Sequence, residues 1–251
     1  VPKLILKDIR TTRAFEDAEN NIWIGSQSNG VFLFPNVNVS GLQFDDAKRN
    51  DLYCIENFDN KLITGNELGE VIVLDKESLK EISTLKDPNY TSRIRQLTLH
   101  NNLIYTLSDY NLYQLDSKLN FTKIKNMYDP DFHKSRLKNF KKFTVFENHI
   151  TTANARGVGE INLINHSLKK HWHKRSTSVF KVNNDSLWIG TTIGLFLKNK
   201  DKFEKYNLGE FFNNSIIYDI KNSKHGLLIA SNSYGLGILK NGKFKRITTK
   251  N

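Results

Sequence analysis

Apolar residues in this chain fall into short clusters, each closed by a turn rich in Asn, Asp or Gly. Two stretches show the pattern most fully. Asn20-Asn21-Ile22-Trp23-Ile24-Gly25-Ser26 leads through Asn29-Gly30 to Val31-Phe32-Leu33-Phe34, and Asn184-Asp185-Ser186-Leu187-Trp188-Ile189-Gly190-Thr191 leads through Ile193-Gly194 to Leu195-Phe196-Leu197. Weaker copies begin at Leu62, Leu103, Ile150 and Leu227. With Ile22, Leu62, Leu103, Ile150, Leu187 and Leu227 as equivalent positions, the intervals are 40, 41, 47, 37 and 40 residues. A sustained period of this size marks an array of repeated units.

Each unit parses into four short strands. The first is an apolar stretch: Arg13 to Glu16, Leu52 to Ile55, Ile94 to Leu99, Phe143 to Phe146, Val179 to Val182, and Ile216 to Ile220. A tight turn follows, of the kind in which Asn accepts positive φ cheaply. The second strand is apolar at both parities, so it predicts burial on both faces. The third follows a Gly turn. The fourth is charged, as in Lys202-Phe203-Glu204-Lys205-Tyr206 and Lys243-Phe244-Lys245-Arg246-Ile247. A gradient from apolar inner strands to a polar outer strand is what a four-stranded propeller blade requires. No stretch sustains a 3.6-residue apolar period, which disfavours helical repeats. The prediction is therefore an all-β chain, a β-propeller of four-stranded blades with six repeats. It forms a single domain over 1–251, with repeats near 9–50, 51–92, 93–137, 138–175, 176–213 and 214–251. Leu4-Ile5-Leu6 would supply a latching strand. The pattern leaves open a closed six-bladed ring or part of a larger propeller. Trp23 and Trp188 sit mid-strand between apolar neighbours and are expected between blades. Gly25 and Gly190 are expected to be structural, where strand meets turn.

Composition changes this picture in few places. No apolar run approaches the roughly 18–20 residues that span a bilayer. Cys54 is the sole cysteine, which excludes an internal disulfide or a cysteine-based zinc site. The chain starts at Val1, which reads as a processed protein or a piece of a longer one. Asn is abundant, at 30 of 251 residues, in keeping with many tight turns. The net charge of +11 is uneven: between Lys123 and Arg175 stand twelve basic residues against four acids. Such a segment attracts anionic partners at long range, or is simply a lysine-rich solvated face.

The units resemble the two-component-regulator propeller repeat, whose pattern runs Asp, turn, Asn-Leu-Trp-Ile-Gly-Thr, Gly-Leu. Asp17 through Phe32 and Asn184 through Phe196 match it best, and the units at Leu103 and Ile150 have lost the Trp. The resemblance implies the periplasmic sensor region of Bacteroidetes hybrid histidine kinases, which responds to glycans. Related repeats occur in other periplasmic propellers. The sandwich, membrane helix and kinase of such sensors do not lie within these 251 residues.

In a propeller, the turns between second and third strands share one face with the links between blades. Gln27, Asn66, Asp109, Tyr110, Arg156 and Tyr234 lie in those turns and have sugar-binding chemistry, namely aromatic faces and planar polar groups. A basic patch of Lys134, Arg136, Lys138, Lys141, Lys142 and Arg175 in the fourth unit is where an acidic polysaccharide would bind. His171-Trp172-His173 has a spacing that can hold zinc, but its neighbours Lys169, Lys170, Lys174 and Arg175 are cationic, with no carboxylate near in sequence. Asp129, Asp131 and His133 fall in an insertion read as a loop. No metal or cofactor is expected. Gly-X-Ser-X-Gly, phosphate-loop and His-Glu-X-X-His motifs are all missing, so no enzyme is expected within this chain, although a kinase could lie in the rest of the gene. A paired-carboxylate glycosidase assembled from distant blades is the exception left open.

The expected function is an extracytoplasmic, periplasmic ligand-sensing propeller, the sensor part of a two-component histidine kinase responding to a carbohydrate. Its partner would be an oligosaccharide or polysaccharide, anionic if the basic patch is used. A homodimer is compatible with this reading, while nucleic acid and membrane contact are not expected. A protein-interaction propeller in a cell-envelope assembly and a polysaccharide-cleaving propeller are the alternatives.

Overall fold

Short apolar strands joined by tight turns can pair only with their neighbours in sequence, and the resulting sheets are antiparallel meanders. The computed structural model describes residues 9–28, 30–34, 42–89, 91–126, 139–172, 174–183, 186–200 and 202–247. The first sheet holds β1 (Thr11–Glu16), β2 (Ile22–Ser26) and β3 (Val31–Phe34). The second holds β4 (Leu52–Phe58), β5 (Lys61–Asn66), β6 (Glu70–Asp75) and β7 (Glu81–Lys86). The third holds β8 (Ile94–His100), β9 (Leu103–Ser108), β10 (Asn111–Leu115) and β11 (Phe121–Asn126). The fourth holds β12 (Phe140–Phe146), β13 (His149–Asn154), β14 (Gly157–Asn162) and β15 (Leu168–Trp172). The fifth holds β16 (Ser176–Lys181), β17 (Ser186–Thr191), β18 (Gly194–Asn199) and β19 (Lys202–Lys205). The sixth holds β20 (Ile217–Ser223), β21 (Gly226–Ser231), β22 (Gly235–Lys240) and β23 (Lys243–Arg246). The six repeats are thus six sheets, and the fold class is an all-β propeller. The chain divides into two compact units, 1–43 and 44–251.

In the larger unit the first strand of each sheet packs on that of the next, β4 on β8, β8 on β12, β12 on β16 and β16 on β20. A separate apolar core fills each gap between sheets. Ile63 and Val71 of the second sheet meet Ile94 and Leu97 of the third. Leu107 and Leu112 of the third meet Phe140 and Phe143 of the fourth. Ala153 and Val158 meet Val179 and Ile189, and Leu195 meets Ile217 and Ile229. Burying a side chain of this size stabilises by about 1.5–3 kcal/mol. Polar clasps supplement the cores. The Gln96 amide donates to the Phe143 carbonyl and accepts from the Phe143 amide, each at 2.9 Å, tying the third sheet to the fourth. The Ser176 hydroxyl accepts from the Asn154 amide at 2.9 Å, tying the fourth to the fifth. Thr177 donates its hydroxyl to the Ile217 carbonyl, tying the fifth to the sixth.

Several details depart from expectation. The first strand of the fourth sheet begins at Phe140 rather than Phe143: Lys141 and Lys142 interrupt its apolar pattern, yet Phe140 and Lys142 both pair with β13. That of the fifth sheet spans Ser176–Lys181 rather than Val179 to Val182, since buried Ser176 and Ser178 replace apolar residues. The second strands of the larger unit are mostly buried, as in β9 and β13, whereas β2 has no buried residue. A one-turn helix, α1 (Glu210–Asn213), brings Phe212 into the core between the fifth and sixth sheets. Leu4-Ile5-Leu6, Asn29, Asp129, Asp131 and His133 lie outside the described residues, as do residues 35–41 after β3. Among the described residues no helix is long and apolar enough to cross a membrane.

Candidate functional site

Every first strand carries the same irregularity. Its register slips once, just after the first residue, so that one residue has no partner opposite. The unpaired residues are Thr12, Tyr53, Arg95, Lys141, Thr177 and Tyr218. Each is a β-bulge, a device that bends a strand and re-aims one side chain, and it recurs beside functional sites. In the larger unit the bulges stand at the strand end that pairs with the turn between second and third strands. Leu52 faces Asn66, Ile94 faces Ser108, and Phe140 faces Asn154. Five inner strands therefore present Tyr53, Arg95, Lys141, Thr177 and Tyr218 at one end of the hub.

Behind these residues lies a cavity of about 470 Å³ whose lining comes from all five inner strands of this unit. Cys54, Gln96, Thr98, Lys142 and Asp219 contribute to its wall, and Arg95 marks the bulged end. The Lys142 ammonium reaches Asp219 at 3.5 Å, joining the fourth sheet to the sixth. Cys54 turns toward the third sheet, its thiol 3.8 Å from the Ile94 carbonyl, and burial pushes that thiol up to about 12. It is a packing group and not a nucleophile at neutral pH.

The bulged end is cationic. Asp109, in the turn after β9, accepts from Arg93 Nε at 3.1 Å and from Arg95 Nε. Arg93 also stacks over the Tyr53 ring at 5.7 Å. The Glu67 carboxylate accepts from the Tyr53 hydroxyl and pushes the phenol up. Lys141 is half-buried beside the same group. Burial and the charges of Arg95, Arg175 and Arg93 pull its ammonium down, and Asp109 alone opposes them. Tyr53 and Tyr218 are each about half exposed, at 50% and 53%.

The residues anticipated from sequence scatter over this geometry. Asp109 is in the site, as the counter-charge of two arginines. Lys141 of the basic patch stands at its bulge and Lys142 lies in the cavity wall, while Arg175 is exposed in the link before β16. Lys134, Arg136 and Lys138 fall outside the described residues. Asn66 is fully buried, with its amide donating to Glu70 Oε2 and accepting from the Glu70 amide, both at 2.9 Å. Tyr110 and Tyr234 pack against the cores of their own sheets. Arg156 is exposed in its turn, and Gln27, in the smaller unit, donates its backbone N–H to the Arg10 carbonyl. Arg93, Arg95, Tyr53 and Tyr218 escaped the sequence reading. Superposing the six first strands would have exposed a column that is polar or aromatic in every repeat.

The histidine pair is placed differently from expectation. His173 lies outside the described residues. His171 stands 3.4 Å from Glu160, a carboxylate eleven positions earlier that the β14–β15 pairing brings alongside. Lys181 completes this half-buried cluster. Hydrogen bonding from His171 and then Lys181 outweighs burial and holds Glu160 well below the ordinary carboxylate range. Trp188 meets Tyr206 edge-on at 4.9 Å beside the core between the fifth and sixth sheets. Trp23 donates its indole N–H to Asp17 at 2.7 Å.

No family model matches the sequence, and no curated protein resembles it at the sequence level. Solved structures do share its fold. The extracellular domain of the putative one component system BT4673 from B. thetaiotaomicron superposes with a TM-score of 0.65 at 19% identity, over 97% of this chain and 34% of that one. The extracellular domain of the putative hybrid two component system BT3049 from the same organism superposes at 0.65 with 18% identity, over 96% and 35%. The RRP9 WD40 repeats superpose at 0.58 with 11% identity, over 96% and 81%. The chain spans about a third of the length of the two extracellular domains. It is a β-propeller, similar in fold to these extracellular domains.

Proposed function

We propose that this chain is the ligand-reading propeller of an extracytoplasmic sensor, of the hybrid two-component kind, and that it binds a carbohydrate at the bulged end of its hub without turning it over. The observation that carries this reading is the ring of unpaired residues. Five sheets each devote a β-bulge to one site, and the residues presented combine two half-exposed tyrosines with arginine, lysine and threonine. Aromatic faces with planar or hydroxyl hydrogen-bonding groups are the elements of sugar recognition, and the cavity behind them is of ligand size. The solved extracellular sensor domains that share the fold add support for the setting.

A thermal-shift screen over neutral and acidic oligosaccharides, with chromatography of the products, tests the proposal. A stabilising saccharide recovered intact is expected. Recovery of shorter fragments would instead make the chain a hydrolase. A blank panel together with capture of a stable envelope protein would favour an interaction platform.

A further inference from the structure

We infer that the ligand carries a carboxylate or sulfate group and that this group sits among Arg93, Arg95, Lys141 and Arg175. The saccharide part of the inference rests on the reading proposed above, and the anionic part rests on the charge geometry alone. Asp109 serves two guanidiniums through their Nε atoms. A carboxylate offers about four lone-pair sites, whereas two guanidiniums carry about ten N–H donors, so one acid cannot consume both arginines. Lys141, at the bulge of the fourth sheet, feels Arg95, Arg93 and Arg175 of the link before β16, with Asp109 opposing them. Glu67, in the turn after β5, is engaged by Tyr53, and Asp219, next to Tyr218, by Lys142. Arg93, Arg95 and Lys141 thus gather about the single carboxylate of Asp109, while Asp219 is held by Lys142 and Glu67 by Tyr53.

Proteins do not gather like charges without a reason, because adjacent cations repel strongly where solvent is partly excluded. Here the bulges at Arg95 and Lys141 place two of the four cations. Guanidiniums match planar carboxylate and tetrahedral sulfate oxygens with paired donors. Tyr53 and Tyr218, on the second and sixth sheets, offer half-exposed ring faces to the rest of the ligand. An anionic saccharide would satisfy both kinds of group, while a neutral one would leave the cations uncompensated.

Calorimetric titration of the full chain against three oligosaccharides tests this: a neutral glucan, an oligogalacturonate, and a sulfated glucan, with inorganic sulfate as a fourth probe. Arg95→Gln, Lys141→Gln and Arg175→Gln are compared with Lys170→Gln, which changes a charge on β15 of the fourth sheet. A charged oligosaccharide should bind where the neutral one does not, and more weakly as salt is raised. Loss of one site cation should weaken it about tenfold to a hundredfold, with Lys170→Gln unchanged. The preferred probe tells carboxylate from sulfate. Equal binding of the neutral glucan, undiminished in Arg95→Gln, would overturn the anionic group and leave the sensor reading standing. Binding of inorganic sulfate that Arg95→Gln abolishes, with no saccharide bound, would keep the anion site and sink the carbohydrate. Failure of every charged probe would overturn the inference outright. Should Arg95→Gln not fold, Lys141→Gln and Arg175→Gln make the same comparison.

Discussion

Asp17 and Glu160 show how single carboxylates hold local structure. Asp17 accepts from the Trp23 indole, from the Asn21 amide and side chain, and from the Glu19 amide. The Trp23 bond, then those from Asn21, lower its carboxyl to about 2. A carboxylate depressed in the fold contributes stability above its unfolded value and loses it as pH falls through the folded one. The first sheet should therefore loosen between about pH 4 and pH 2. Asp17→Asn should remove most of that acid dependence, as followed by indole fluorescence. Glu160 also lies below its ordinary range, so its contribution is complete above about pH 4.5 and declines in acid. Glu160→Gln leaves Lys181, whose side chain is 7% exposed, without its charge partner. The expected cost is about 3 kcal/mol in denaturant unfolding, in the manner of a broken buried pair. Burial raises the Cys54 thiol, so it should resist alkylation at neutral pH in the native chain and react only on unfolding.

At the scale of elements, what matters is how closely one sheet approaches the next. A Cβ on Gly190 would meet Ser178 Oγ, with the Ile217 carbonyl of the sixth sheet 3.0 Å away. A Cβ on Gly65 would meet Ile94 of the third sheet. Both glycines occupy the end of a second strand, and the structural role expected from sequence for Gly190 is real. Its reason is space: the Ser178 hydroxyl of the paired inner strand lies where a methyl group would go, and Ile217 of the next sheet closes in from the other side. Gly190→Ala should therefore destabilise by about 1–3 kcal/mol through overpacking, measurable as a lower denaturation midpoint. Gln96→Ala breaks both bonds of the amide clasp and leaves the Phe143 amide and carbonyl to find other partners, at a cost of about 1–3 kcal/mol. The bulges belong to this scale as well. Periodicity in apolar residues marked where the first strands lie, but a register slip leaves no apolar trace, so Tyr53, Arg95 and Tyr218 read as ordinary strand residues.

At the scale of the molecule, stacked repeats draw their stability from their neighbours. The larger unit has an apolar core in each of its four gaps between sheets. The first sheet has no buried residue among those described. Amide exchange in β2 should accordingly be at least about tenfold faster than in β9 or β13, as local opening free energy follows burial. Equal protection of the three strands would contradict this.

The sequence by itself determined the number of repeats, their period, the strand type and the inward-to-outward gradient. These are local properties: alternation, turn chemistry and the recurring Trp-Ile-Gly pattern are written within a few residues of one another. It also marked a basic segment, in which Lys141 and Lys142 lie. Only the tertiary structure decided which polar residues meet. Arg93 and Arg95 converge on Asp109 because a hairpin folds the turn after β9 back over the start of β8, and Lys141 joins them from the next sheet. Asn66, by contrast, spends its amide on Glu70 because the same kind of turn closes on itself. Contacts between residues far apart in the chain depend on register and on the distance between sheets, and neither is encoded in the order of apolar and polar positions.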